Sequence, residues 1–211
     1  MDPRVAEIAV RLGPGAGVRA GPGPAPLRRV RGTGIPGLDR LLPGGGYPEG
    51  ALVELVGLPD GGRGLLAMAA AAHHSRRGRV AWATAEGTPD PWLLRAMGGQ
   101  LRSFSLVRLR RRERYAWAVE QVLRSGLFRL VVAQGTGPVS GRVLFGPAAW
   151  RRWAAAAAGG DSTLLLLLED LPRVAELPRP ASLRLRVEGC GDGGTRVRVE
   201  RAAGHAPGAR G

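Results

Sequence analysis

Lysine is missing from this chain: all 31 basic residues are arginine. Any mechanism that needs a lysine ammonium is therefore excluded before a motif is consulted, since a planar guanidinium does not stand in for a compact ammonium. Cysteine is almost missing too. Cys190 alone forms no internal disulfide, which fits a reducing compartment. No apolar run is long: residues 164–168 are the most apolar stretch, far short of the about 20 residues that cross a bilayer. The first residues carry Asp2 and lack an apolar run of signal-peptide length. His73 and His74 have no cysteine or carboxylate cluster nearby, so neither a metal site nor a cofactor is expected. These absences point to a soluble cytoplasmic protein, with association with the nucleoid left open.

What is present suits one domain. A hydrophobic content of 44% in 211 residues is ample for a buried core, and 23% charged residues is ordinary. The net charge of +14 attracts polyanions. However, 34 glycines and runs of Ala, Arg and Pro are the mark of GC-rich coding, so part of that charge is codon bias.

Residues 3–12 have helical spacing, with Val5, Ile8, Ala9 and Leu12 on one stripe. Residues 13–27 are rich in Gly, Pro and Ala and read as an irregular linker. From residue 28 onward strand and helix signals alternate. Strands are expected at 51–56, 79–84, 103–109, 128–133 and 163–168, and helices at 35–42, 65–75, 91–97, 113–124 and 147–158. Residues 182–188 and 195–201 alternate Arg with apolar residues around a Gly-rich turn, which predicts a hairpin with one wet face. Residues 203–211 read as a tail. Repeated β-α units with continuous apolar strands give an α/β fold, a mostly parallel sheet covered by helices and extended by a C-terminal antiparallel hairpin.

Between the first apolar strand and its helix lies Gly57-Leu-Pro-Asp-Gly-Gly62-Arg63-Gly64. It fills the phosphate-loop frame G-x-x-x-x-G-K-[ST] with both chemical residues replaced. The flanks make the frame specific. Upstream run Thr33-Gly-Ile-Pro-Gly-Leu-Asp39 and Leu41-Leu-Pro-Gly-Gly-Gly-Tyr-Pro-Glu-Gly50; downstream come Ala85-Glu86 with Asp90-Pro91, then Arg124-Ser-Gly126 before the next strand. Together these resemble RecA from about residue 31 to 202, and imply a RecA-like core. Within that superfamily residues 41–54 look most like ImuA, the RecA-like accessory protein of the bacterial damage-induced mutagenesis cassette. That resemblance implies an interaction protein assembling with RecA, an ImuB-type subunit and an error-prone polymerase in translesion synthesis.

A working loop cradles phosphates with backbone N–H groups, reaches them with Lys and holds Mg²⁺ with a hydroxyl. Gly57, Gly61 and Gly62 retain the loop, Arg63 retains only a charge, and Gly64 has no oxygen. Where the resemblance places a metal-side aspartate at a strand end, Gln134 stands instead. Glu86 aligns with the glutamate that orients the attacking water; it reads as a remnant, or as a loop carboxylate paired with an arginine. Arg63 is either a surface arginine at a helix start or an anion contact there. No ATP hydrolysis is expected, and the vestigial nucleotide or anion site comprises Gly57, Gly61, Gly62, Arg63, Gly64, Glu86 and Gln134.

Candidates for nucleic-acid contact are Arg108, Arg110, Arg111, Arg112 and Arg114, a basic run at the C-terminal end of a strand, with Arg142, Arg151 and Arg152. A solvated loop explains the same run, and any binding would be weak and electrostatic. Among the five tryptophans, Trp82 and Trp117 fit core spacing. Trp150 and Trp153, beside Arg151 and Arg152, are the better stacking candidates, although core packing competes there too. Val5, Ile8, Ala9 and Leu12 are the candidate partner surface, for RecA or a second copy, and the hairpin edge is the next. The alternative functions are a SulA-like inhibitor of the tubulin-like division protein and a weak residual DNA-stimulated ATPase.

Overall fold

A computed structural model describes residues 10–12, 19–20, 29–85, 87–109, 112–134, 145, 147–169, 181–190 and 194–202. Its strands are β1 (Val10–Leu12), β2 (Arg19–Ala20), β3 (Val30–Arg31), β4 (Tyr47–Pro48), β5 (Leu52–Val56), β6 (Arg79–Thr84), β7 (Phe104–Arg108), β8 (Phe128–Gln134), β9 (Thr163–Leu168), β10 (Leu183–Gly189) and β11 (Thr195–Ala202). Its α-helices are α1 (Pro36–Leu41), α2 (Gly64–Ser75), α3 (Pro91–Ala96), α4 (Tyr115–Arg124) and α5 (Pro147–Gly159). Among the described residues no helix is long and apolar enough to cross a membrane.

The main sheet runs β1-β11-β10-β5-β9-β8-β6-β7, with β2 also on β11, while β3 and β4 form a separate small hairpin. From β10 through β5, β9, β8 and β6 to β7 every pairing is parallel. β10 and β11 are antiparallel. The expected α/β architecture, a mostly parallel sheet flanked by helices and closed by an antiparallel pair, is the one that forms.

The strand sequences explain the layering. All six residues of β9 and all five of β5 are buried, as strands covered on both faces must be. One core gathers Leu38 of α1, Leu66 and the alanines of α2, Leu94 of α3, and Val53, Leu55, Trp82 and Val132 of the sheet. The opposite core gathers Tyr115, Val119 and Leu123 of α4, Trp150 and Trp153 of α5, and Leu52, Val131 and Leu166. α2 is buried nearly all round because alanine lets it sit close to both the sheet and α3.

Two expectations change at the N-terminal side. Where a helix was expected to run through Leu12, Val10–Leu12 is a strand parallel to β11. In the expected linker, Arg19–Ala20 adds a second short parallel contact to the same strand. The physical reason is the open edge of β11, whose backbone groups pair more readily with extended chain than with a short, marginal helix. Residues 1–9, including Val5, Ile8 and Ala9, lie outside the described residues. The outer edge of the terminal hairpin is thus occupied by the chain itself.

Candidate functional site: a phosphate-loop frame closed by its own arginine

The loop leaves β5 at Gly57, turns through Pro59–Arg63 as one wide helical turn, and enters α2 at Gly64. Its glycines are required by the neighbouring hairpin. Gly57 donates its N–H to the Leu168 carbonyl at 3.1 Å, and a Cβ there would overlap the Val187 carbonyl oxygen of β10. Gly62 has φ +94°, the left-handed region, and a Cβ on it would collide with the Thr195 side chain of β11. A Cβ on Gly61 would lie 3.4 Å from the same Val187 oxygen. Gly64 differs: a Cβ there meets nothing within 4 Å, so the missing hydroxyl is not a steric necessity.

Arg63 is not a surface arginine. It is only 6% exposed. Its Nη1 donates to the Gly57 carbonyl at 2.8 Å, and its Nη2 lies 3.7 Å from Oε1 of Glu169, the residue after β9. Burial pulls its pKa down and the Glu169 carboxylate pushes it back up. A guanidinium stays charged in such a place. The side chain therefore ties the ends of β5 and β9 to the start of α2 through a fork that an ammonium lacks.

Gln134 ends β8 in register with Leu167 of β9. Its Oε1 is buried with no hydrogen-bond partner among the described residues. As a neutral amide it offers a divalent cation no charge. Glu86 lies outside the described residues. The loop glycines, Arg63 and Gly64 are thus contiguous, while Gln134 stands two strands away from β5, beyond β9.

The arginine candidates separate. Arg108 and Arg114 are exposed at the two ends of the basic run, while Arg110, Arg111, Arg142 and the Arg112 side chain lie outside what the structure describes. Arg151 is exposed on α5; Arg152 donates to Glu120 of α4 at 2.8 Å, beside Arg124, so it serves the α4–α5 contact. On the polar face of the hairpin Arg184 lies 3.6 Å from the buried Glu54 and 3.1 Å from Glu200, and Arg186 pairs with Glu200, while Arg196, Arg198 and Arg201 keep that face basic.

The tryptophans are reversed. Trp150 and Trp153, the better stacking candidates by sequence, are 1% and 0% exposed, and the Trp153 indole donates to the Ala116 carbonyl at 2.9 Å. Core packing, the competing reading, wins there. Trp117, expected in the core, is 60% exposed, and Trp92 is 78% exposed. Helical spacing marks a face without saying which face the sheet will cover. Sequence reasoning also missed Glu169, because nothing in a carboxylate following an apolar strand says which arginine it will meet.

Comparison with known proteins finds partial similarity to RecA proteins. The RecA protein of Streptomyces avermitilis is 32% identical over 133 residues, which are 63% of this chain and 35% of that protein. A RecA protein of Thermus thermophilus is 32% identical over 136 residues, 64% of this chain and 40% of its own length. Over that stretch this chain is similar to RecA. The RecA protein of Bifidobacterium breve is 29% identical over 133 residues, 63% of this chain and 34% of the relative. The chain thus spans little more than a third of the length of the RecA proteins it matches. No family model matches it.

Proposed function

We propose that this RecA relative is a non-hydrolysing accessory module of the DNA-damage response, which assembles with repair partners instead of turning over ATP. The observation that carries the reading is the inward Arg63, held by the Gly57 carbonyl and Glu169. A cation that is already bonded to its own loop and paired with its own carboxylate is not offered to phosphate. Gly64 supplies no oxygen for Mg²⁺, and Gln134 supplies no negative charge at the strand end. Phosphoryl transfer depends on charge stabilisation and positioning by such groups, so their joint replacement removes the means of catalysis. The partners that the ImuA-like segment of residues 41–54 favours are RecA, an ImuB-type subunit and an error-prone polymerase, in translesion mutagenesis.

Phosphate release from Mg²⁺-ATP, with and without single-stranded DNA, tests the reading. Wild-type protein is expected to release phosphate no faster than Arg63→Ala. DNA-stimulated turnover that disappears in Glu86→Gln would overturn it and leave a residual ATPase in its place.

A further inference from the structure

Alternation sorts the two faces of the terminal hairpin. Leu183, Leu185 and Val187 of β10, with Val197, Val199 and Ala202 of β11, are buried in the core that α1 and α2 cover. The residues between them stand on the opposite side of the sheet, because side chains of a strand alternate. There Arg184, Arg186, Arg196, Arg198 and Arg201 are all only partly buried, as are Glu188 and Glu200. The helices on that side, α4 and α5, pack on β5, β6, β8 and β9.

Register and contacts join these residues in one surface. Arg186 stands opposite Arg198, Arg184 opposite Arg201, and Glu188 opposite Arg196. A shift of register at Arg184/Leu185 adds Glu200, which lies 3.1 Å from Arg184 and also pairs with Arg186. The rows continue into the edge strands, where Arg11 is in register with Arg196 and Arg19 with Arg201. Like charges directly opposite one another destabilise a sheet, and the hairpin places two such arginine pairs side by side. Arg198 also keeps a buried Nε with no hydrogen-bond partner among the described residues.

We propose that this arginine face docks an extended, acid-rich segment of a partner protein. Alternate residues on one face of a strand lie about 6.6 Å apart, the spacing at which an extended peptide presents alternate carboxylates. The carboxylates of Glu188 and Glu200 lie within the same rows. A peptide brings N–H donors to meet them, whereas a phosphodiester backbone brings only further negative charge. No aromatic side chain stands among these residues, so unstacked bases find no platform there. Nor does the hairpin project as a free ribbon that could enter a major groove, since β5 flanks it on one side and β1 and β2 on the other. The proposal names the partner's chemistry within the accessory reading, and rests on that reading for the existence of a protein partner.

Fluorescence anisotropy tests it with a labelled peptide alternating Glu and Thr, about 8 residues long to match β11. The full chain should bind this peptide at low salt and release it as salt rises, while a Gln/Thr peptide of the same length stays free. Arg196→Gln/Arg198→Gln, checked for unchanged circular dichroism, should bind roughly tenfold or more weakly, the loss expected for two charge-assisted contacts. Arg196→Lys/Arg198→Lys, which keeps both charges, should recover part of the affinity. Arg108→Gln/Arg114→Gln removes the same charge elsewhere and should leave binding nearly unchanged. Absent binding of the Glu/Thr peptide, or equal losses in the two Gln variants, overturns the proposal, the second outcome showing attraction to net charge alone. So does a DNA single strand or duplex of equal charge that displaces the peptide and itself loses affinity in Arg196→Gln/Arg198→Gln, which would make the face a nucleic-acid surface. Turnover of Mg²⁺-ATP in the same preparation would defeat the accessory reading while leaving the peptide result to stand by itself.

Discussion

At the scale of single residues, two glycines of one loop carry opposite constraints. Gly57 faces the Val187 carbonyl at a distance that leaves no room for a methyl group, whereas Gly64 faces open space. Gly57→Ala should therefore cost on the order of 3 kcal/mol or more, since either β10 or the loop must move. Gly64→Thr should be near neutral in urea unfolding, and its added hydroxyl alone should not produce turnover while Arg63 stays inward. A large destabilisation in Gly64→Thr would show that the loop is tighter than its geometry. His74 gives a pH signature. It is 1% exposed on α2, with His73, Arg129, Arg31 and Arg77 as its charged surroundings. Burial, then those cations, push its pKa from 6.5 down to about 3. Its neutral form is the one the fold accepts, so stability is fully present above pH 6.5 and is lost as pH falls toward 3. Between neutrality and pH 5 the loss from this group should be about 2 kcal/mol. His73 is shifted in the same direction and adds to the slope. His74→Phe should flatten the dependence of the urea midpoint on pH; an unchanged slope would assign it to other groups.

At the scale of elements, the decisive event is which strand covers which edge. β11 would end the sheet with unpaired backbone groups, and β1 and β2 both pair with it in parallel. Deleting residues 1–26 removes both strands while leaving helices α1 to α5 and the strands β3 to β11 in place. The helical circular dichroism should persist, the melting temperature should fall by a few degrees, and concentration-dependent association should appear in sedimentation as the bare edge seeks a partner. An unchanged melting point together with an unchanged sedimentation profile would mean that the strand contact adds nothing. α5 shows a second consequence of placement. Its two tryptophans flank Arg151 and Arg152, yet the helix turns them inward onto Phe145 and Tyr115 and leaves the arginines in solvent.

For the molecule as a whole, a net charge of +14 is partly spent on internal partners. Arg31 donates to Glu49 and to the carbonyls of Arg129 and Asp161, Arg63 pairs with Glu169, and Arg184 and Arg186 pair with Glu200. The exposed remainder makes any nucleic-acid affinity steeply salt-dependent. For a single strand, each phosphate neutralised by the protein adds roughly 0.7 to the slope of log affinity against log salt. Arg108→Ala/Arg114→Ala should lower that slope by about one unit or slightly more, measured on oligo(dT) between low and moderate salt. A slope unaffected by the pair would place the phosphate contacts elsewhere.

Much of this was legible without coordinates. The parallel core was written in residue type: Thr163–Leu168 is almost wholly apolar and β-α spacing repeats along the chain, and such strands are at home in a sheet covered on both faces. The loss of lysine and of a hydroxyl in the loop was likewise a matter of composition, since no fold can restore an absent functional group. Direction and proximity were not legible. Whether Arg63 faces phosphate or its own carbonyl depends on Glu169 arriving from a distant strand late in the chain. Whether Trp117 or Trp153 is buried depends on how α4 and α5 roll against the sheet. Whether Val10–Leu12 coils or extends depends on an open edge built by the last strand of the domain. Local chemistry is a property of the residues themselves, whereas these outcomes are long-range pairings that exist only once the chain has closed on itself.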